Sequence, residues 1–269
     1  MTDQFSDCYD HPRWWNRAFA DETRPEADFI RAAADRYCDF PVRSILEPAC
    51  GGGRQVVELA RRGFDVTAFD LNATAVGFTR RALRRRKLAA EVFVADMCRF
   101  TEFLPNTADT RFDVAHCFVN SFRHLTTETA AAEHLNSVAR VLRPGGLYLL
   151  GLHLLPPDAV EYDCERWTLQ HRRTRLTTTF RVLNFDRRRR LEIVRFSLRV
   201  RSPRQDLRLR SDHTLRIYRA DQMRSLLKKV PDLRLRDVFD FCYDIQEPLR
   251  LDDRLGDAVL VLQKPIQST

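Results

Sequence analysis

The stretch Ile45-Leu-Glu-Pro-Ala-Cys-Gly-Gly-Gly-Arg54 decides how the rest of the chain is read. An apolar run ends on the acidic Glu47 and enters a glycine turn, after which residues 54–62 have helical spacing and stop at Gly63. Gly51 and Gly53 let a backbone approach a ligand closely, because a Cβ there would block it. The helix start that follows offers N–H groups with no partner inside the helix. A dinucleotide site would need G-x-G-x-x-G from Gly51, with a pyrophosphate seated on the turn. Position 56 is Val56, and Glu47 would set negative charge beside that phosphate. A cationic ligand without phosphate suits the turn better.

Working outward, strands and helices alternate. Val42–Glu47 and Phe64–Asp70 predict two strands, and a helix starts near Asn72. Glu91–Asp96 and Phe112–Asn120 predict a third and a fourth strand. Thr126–Leu142 is helical, and Pro144-Gly-Gly146 turns into a strand over Leu147–Leu155. This rhythm implies a parallel sheet with right-handed crossovers. Toward the N-terminus, Thr23-Arg-Pro-Glu26 predicts a capped helix start, preceded by an aromatic arm with Tyr9, Trp14, Trp15 and Phe19. After Pro157 the period falls to two. Val194, Phe196, Leu198 and Val200 alternate with Arg195, Ser197, Arg199 and Arg201, a strand wet on one face. Phe180–Phe185 pairs with it as a hairpin across 186–190, and Leu207–Arg210 with Leu215–Ile217 gives one more strand or two halves of one. A helix begins at Ala220, and Leu233–Phe241 with Ala258–Leu262 predicts a closing antiparallel pair. With no repeat or low-complexity linker, 1–269 reads as one domain. It divides into an arm and helix (1–40), a ligand-binding core (42–155), a β-rich insertion (158–218) and a C-terminal helix with closing strands (219–269).

Composition narrows the class. The 269 residues are 44% hydrophobic and 30% charged, enough apolar content for a core and too much for disorder. No apolar run reaches the roughly 20 residues of a membrane helix, and the acidic, polar start Met1-Thr-Asp-Gln-Phe-Ser-Asp7 is unlike a secretory signal. Seven cysteines with no CxxC pair read as reduced thiols of a cytoplasmic protein, with no disulfide frame and no zinc site. The net charge is +8, and only Lys87, Lys228, Lys229 and Lys264 are lysines; the other 41 of 45 basic residues are arginine, spread along the chain among acidic neighbours. That distribution reads as solvated surface ahead of a nucleic-acid stripe. The run Arg187–Arg190 reads as a solvated hairpin tip.

With the acidic residue included, the deciding stretch is Glu47-x-Ala49-x-Gly51-x-Gly53, which resembles motif I of the class I S-adenosylmethionine-dependent methyltransferases with Ala49 in place of the first glycine. The resemblance extends in order over 42–155. Asp70, with Leu71 after it, ends the second strand where the family's acidic residue binds the ribose hydroxyls. Asp96 and Met97 end the third where adenine is held, and Asn120 ends the fourth beside the transferred methyl. Leu142-Arg-Pro-Gly-Gly146 matches the turn before strand five. The resemblance implies a Rossmann-like α/β fold, a mostly parallel seven-stranded sheet with an antiparallel β insertion after strand five. It also implies S-adenosyl-L-methionine as cofactor, S-adenosyl-L-homocysteine as product, and Glu47, Ala49, Gly51, Gly53, Asp70, Leu71, Asp96, Met97 and Asn120 as its site. The arm and the insertion look like the amino-sugar N,N-dimethyltransferases and the glycine and sarcosine N-methyltransferases. There the arm closes over the cofactor and the insertion helps form the acceptor pocket or a homodimer contact.

The expected reaction is methyl transfer to a small molecule, nitrogen ahead of oxygen, with no membrane partner. An RNA-directed methyltransferase and a non-catalytic cofactor-binding module are the alternatives. Tyr9, His124 and His153 are the candidate catalytic residues. Either histidine can take a proton near neutral pH or can simply be packed, and Tyr9 and the Trp14–Trp15 pair either face a cation or staple the arm. His116 and Cys50 read as structural.

Overall fold

The computed structural model describes residues 6–104, 111–159 and 163–266. Residues 1–5 of the N-terminal stretch read above therefore lie outside the described residues. A seven-stranded sheet has the order β10-β11-β5-β4-β1-β2-β3. Its strands are β1 (Ser44–Pro48), β2 (Asp65–Asp70), β3 (Glu91–Val94), β4 (Phe112–Cys117), β5 (Leu142–His153), β10 (Arg234–Phe239) and β11 (Asp257–Gln263). The first five run parallel, and β11 lies antiparallel between β5 and β10. The inner strands β1 and β4 are buried almost end to end, which is why they read as continuous apolar runs. Helices α2 (Thr23–Tyr37), α3 (Arg54–Arg61) and α4 (Ala73–Arg86) cover one face through Ile30, Leu59, Val76 and Leu83. On the other face α5 (Glu128–Val141) and α6 (Ala220–Lys228) bury Leu135, Val138, Met223 and Leu226.

Between β5 and α6 the chain builds a separate antiparallel sheet, β6 (Cys164–His171), β7 (Thr174–Asp186), β8 (Leu191–Ser202) and β9 (Gln205–Arg216), paired in that order. The expected hairpin is there, longer on both sides, and β9 is one strand. β6 was not anticipated: as an edge strand it turns only Trp167 and Leu169 inward among polar residues, too little alternation to stand out. The inner face carries Leu176, Phe196, Leu198 and Leu209. The outer face sets like charges directly opposite one another at Arg175–Arg201, Arg181–Arg195 and Arg199–Arg208. Residues 164–216 hold sixteen arginines against five carboxylates, whereas the rest of the chain has 29 basic and 32 acidic residues. The excess positive charge therefore belongs to this insertion rather than to the chain at large.

Other expectations are corrected. Thr23 is the first residue of α2 and not its cap. Glu26 is wholly buried, and its two oxygens accept from Arg54 at 2.7 Å and Gln55 at 2.6 Å, so no capping box forms. Pro12–Ala18 is a short helix, α1, started by proline at its first position. Thr127 caps α5 by accepting from Ala130 N–H at 3.1 Å, and Leu142 to Gly146 already belong to β5. The tip of the arginine run is not wholly solvated: Arg190 donates to Glu128 at 2.6 Å and ties the hairpin to the start of α5.

Candidate functional site

The carboxyl ends of β1, β2, β3, β4 and β5 open into one cavity of about 1520 Å³, closed above by the arm and on the far side by the inner face of the second sheet. Ligands in open α/β sheets lie at such strand ends. Of the expected site residues, Tyr9, Glu47, Ala49, Gly51, Asp70, Leu71, Asp96, Met97, Asn120, His124 and His153 all line this space. Gly53 is absent from its wall.

The glycine turn divides its labour. Gly51 (φ +52°) has nothing within 4 Å of where a Cβ would stand. A Cβ on Gly53 (φ +71°) would lie 2.2 Å from Thr79 Cγ2, so that glycine serves the packing of α3 on α4 and not the approach of a ligand. Both alanine variants bear left-handed backbone strain of about 1 kcal/mol. Gly53→Ala adds the clash and is expected to lose about 2–3 kcal/mol in all. Gly51→Ala should cost about 1 kcal/mol of stability and mainly obstruct the cavity; thermal melts beside ligand titrations separate the two. Ala49 also sits at positive φ (+53°), a conformation a glycine would hold without strain.

Asp70 accepts from Gly51 N–H at 2.7 Å on one oxygen and from Asn72 N–H at 2.8 Å on the other. It thus fixes both the glycine turn and the start of α4, with lone pairs left for a ligand. Burial raises its pKa against these two bonds. Leu71 follows it, 70% exposed, an apolar surface at the cavity edge. Asp96 accepts from Cys98 N–H at 2.7 Å. Met97 is held from behind by His134, whose Nδ1 donates to the Met97 carbonyl at 3.0 Å while Nε2 accepts from the Tyr148 hydroxyl at 2.7 Å. His134 was not anticipated; nothing in its helical surroundings marks it.

Glu47 is incompletely satisfied. Its Oε2 is buried without a hydrogen-bond partner, 3.8 Å from His116 Nε2, which lacks one too. Burial pushes His116 down to about 3, so it is neutral and supplies no counter-charge. Burial likewise raises the Glu47 carboxyl, and the nearby Arg54 opposes that rise only in part. Cys50 lies buried beneath the turn, its thiol pKa raised by the same desolvation.

At the far end, Val119 and Asn120 both take positive φ (+54° and +65°). A β-branched residue there is strained. The kink turns the Asn120 Oδ1 to accept from His153 N–H at 2.7 Å. The His153 ring bonds Asp257 through Nδ1, which leaves Nε2 as the free ring nitrogen. Arg123 turns toward the second sheet and pairs with Glu192, while His124 meets the arm, with Tyr9 Oη 3.1 Å from its Nε2. The Tyr9 ring stacks on His213 at 4.4 Å and meets Trp15 edge-on at 4.8 Å. Ser211 holds this arrangement: its hydroxyl accepts from Cys8 N–H and donates to Asp7, both at 2.7 Å. His213, missed in the sequence, completes the cluster. Trp15 reaches the cavity, whereas Trp14 lies under Arg13 against the apolar cluster that the arm shares with the second sheet.

Burial lowers His124 to about 4 and raises the Tyr9 phenol, so near neutral pH both are uncharged and the hydroxyl donates to the ring. The depressed histidine pKa means that the unfolded chain binds its proton first. The stability owed to a neutral His124 is intact above pH 6.5 and is lost as pH falls toward 4. His124 ring resonances followed by NMR should accordingly stay constant from pH 8 to about 5.5.

The sequence model of a family described as a methyltransferase domain matches residues 45–146. A ubiquinone biosynthesis O-methyltransferase of Alkalilimnicola ehrlichii is 31% identical over 138 residues, covering 50% of this chain and 52% of that one. The glycine/sarcosine N-methyltransferase of Parasynechococcus marenigrum is 29% identical over 154 residues, 55% and 52% of the two chains. The chain spans about half the length of the curated relatives it matches. Solved structures align far more fully at lower identity. An S-adenosylmethionine-dependent methyltransferase from Clostridium acetobutylicum has TM-score 0.73 at 16% identity, over 90% of this chain and 92% of that one. CalS10, an amino pentose methyltransferase from Micromonospora echinaspora, has TM-score 0.69 at 15% identity, over 98% and 99%. Residues 45–146 thus match a methyltransferase-domain family, in a chain whose fold is shared with a solved S-adenosylmethionine-dependent methyltransferase.

Proposed function

We propose that this chain is an S-adenosylmethionine-dependent methyltransferase that methylates a nitrogen of a small molecule. The observation that carries the reading is the unpartnered, buried Glu47 Oε2 at the cavity wall. A carboxyl in such a place is driven toward its neutral form unless a cation meets it, and the ammonium of the methionine part is such a cation. Asp70 would bind the ribose, Leu71, Asp96 and Met97 the adenine, and Ala49 and Gly51 the turn against the chain between them. When bound, S-adenosylmethionine supplies a methyl already activated on a sulfonium. The protein's part is to position, desolvate and handle a proton. Tyr9 and His124 close the arm over the site, and Asn120 orients the strand end that carries His153. Asp257 on Nδ1 supports a role for His153 Nε2 as the atom that would take the proton of an incoming amine.

A small acceptor is supported by the closed wall under Tyr9 and Trp15, and by carboxylates around the cavity that would repel an RNA backbone. A dimer through the insertion would have to avoid its outer face, since a two-fold contact there sets arginines against arginines. Among the described residues no helix is long and apolar enough to cross a membrane. Calorimetry with S-adenosylhomocysteine tests the reading: micromolar binding is expected, and absence of heat with both methylated and demethylated nucleosides overturns it. Turnover to S-adenosylhomocysteine with candidate amines separates an enzyme from a binding module.

A further inference from the structure

The cavity is larger than one ligand needs. Its volume of about 1520 Å³ exceeds the roughly 300–1,000 Å³ usual for a single small-molecule site. The cofactor reading occupies the strand ends of the main sheet. The rest lies between His153 and the inner face of the second sheet, and its chemistry is distinctive. Trp167, Leu169, Phe180, Phe185 and Phe196 line it and are only half-buried. The arm covers part of it, Trp15 against Phe196 and Phe19 against Trp167, and the apolar surface left at Leu169, Phe180 and Phe185 is of a kind seldom left without a use.

Its charge is one-sided. Among the described lining residues ten are carboxylates, and Arg54 and Arg123 are the only arginines, with no lysine. Both guanidiniums are engaged by buried glutamates, Arg54 by Glu26 and Arg123 by Glu192. On the acceptor side Glu22, Asp163, Glu165 and Asp257 face the space. A sugar activated as a nucleoside diphosphate would bring at least two negative charges to this wall and find no cation to receive them. Free glycine would leave the aromatic wall bare.

Resting on the methyltransferase reading above, we infer that the acceptor is an amphiphilic amine, a cationic nitrogen on a bulky apolar body. The body lies along the Trp167–Phe180 face and the nitrogen reaches toward Asn120 and His153. Two buried polar atoms without partners in this wall, His213 Nε2 and Tyr218 Oη, are available to polar groups on that body.

Primary n-alkylamines from hexyl to decyl are the probes, titrated at pH 7 into free and S-adenosylhomocysteine-loaded protein with tryptophan fluorescence as readout. Affinity should rise roughly fourfold per methylene. Glycine and UDP-glucosamine should not compete at millimolar concentration, and decylamine should raise the melting temperature. Leu169→Arg, on the edge strand, should weaken decylamine at least tenfold while leaving S-adenosylhomocysteine affinity unchanged. Affinity independent of chain length, or UDP-glucosamine binding more tightly than decylamine, overturns the inference. Loss of nucleoside binding alone would instead strike the cofactor reading, because the amine titration of the free protein reads this lobe separately.

Discussion

Asp70→Ala is expected to lower S-adenosylhomocysteine affinity roughly 100-fold, about 3 kcal/mol, and also to destabilise the free protein. The two effects have separate origins in one side chain. Toward the cavity the carboxylate offers lone pairs to a pair of hydroxyls, a charge-assisted interaction of about 1.5–3 kcal/mol. Toward the protein it accepts from the N–H groups of Gly51 and Asn72. Removing it leaves both donors without that acceptor at the turn the ligand must rest on, for a further loss of about 1–3 kcal/mol in stability. Asp70→Asn keeps one acceptor oxygen, so it should recover part of the stability and little of the affinity. Calorimetry and thermal melts on the two variants give the partition. Unchanged affinity in Asp70→Ala would show that the ribose assignment is mistaken.

The division between what the letters disclose and what they hide follows the range of the interactions. The glycine turn and the apolar strands of the main sheet are local signals, since a strand buried on both faces must be apolar along its length. β11 was legible for the same reason, with Val259, Leu260, Val261 and Leu262 all fully buried, whereas the edge strand β10 is buried only toward its end at Val238 and Phe239. Glu26 shows the limit. Its spacing from Thr23 imitates a capping box, yet its carboxylate is drawn to Arg54 and Gln55 on α3, 28 and 29 residues away. The arm is a stronger case. Tyr9 is placed by His124 and His213, more than 100 and 200 residues distant, and by a bridge from Ser6 to Leu209. No periodicity records such contacts. Gly53 was misjudged for a related reason: a glycine that yields to a ligand and one that yields to a neighbouring helix look alike until Thr79 is seen beside it.

Arg123→Ala is expected to cost about 3–5 kcal/mol of unfolding free energy, the largest loss from any single side chain discussed. Arg123 and Glu192 are 5% and 6% exposed, and they pair directly. The guanidinium Nε also donates to the Arg216 carbonyl at 2.8 Å. These bonds join the turn after β4, next to the expected methyl-transfer position, to β8 and β9 of the second sheet. Truncation would strand Glu192 as a buried charge without a counter-ion, which is the larger part of the cost. If so, Arg123→Met with Glu192→Leu should restore most of the stability that either single variant loses, because two apolar groups leave no unpaired charge. Activity should not return with it. His124 follows Arg123 in the same turn, and Tyr9 meets His124 from the arm, so relaxing this anchor loosens the contact that closes the site. Chemical denaturation on the wild type, the two single variants and the double variant completes the thermodynamic cycle. A double variant no more stable than Arg123→Met alone would show that the pair does not act as a unit.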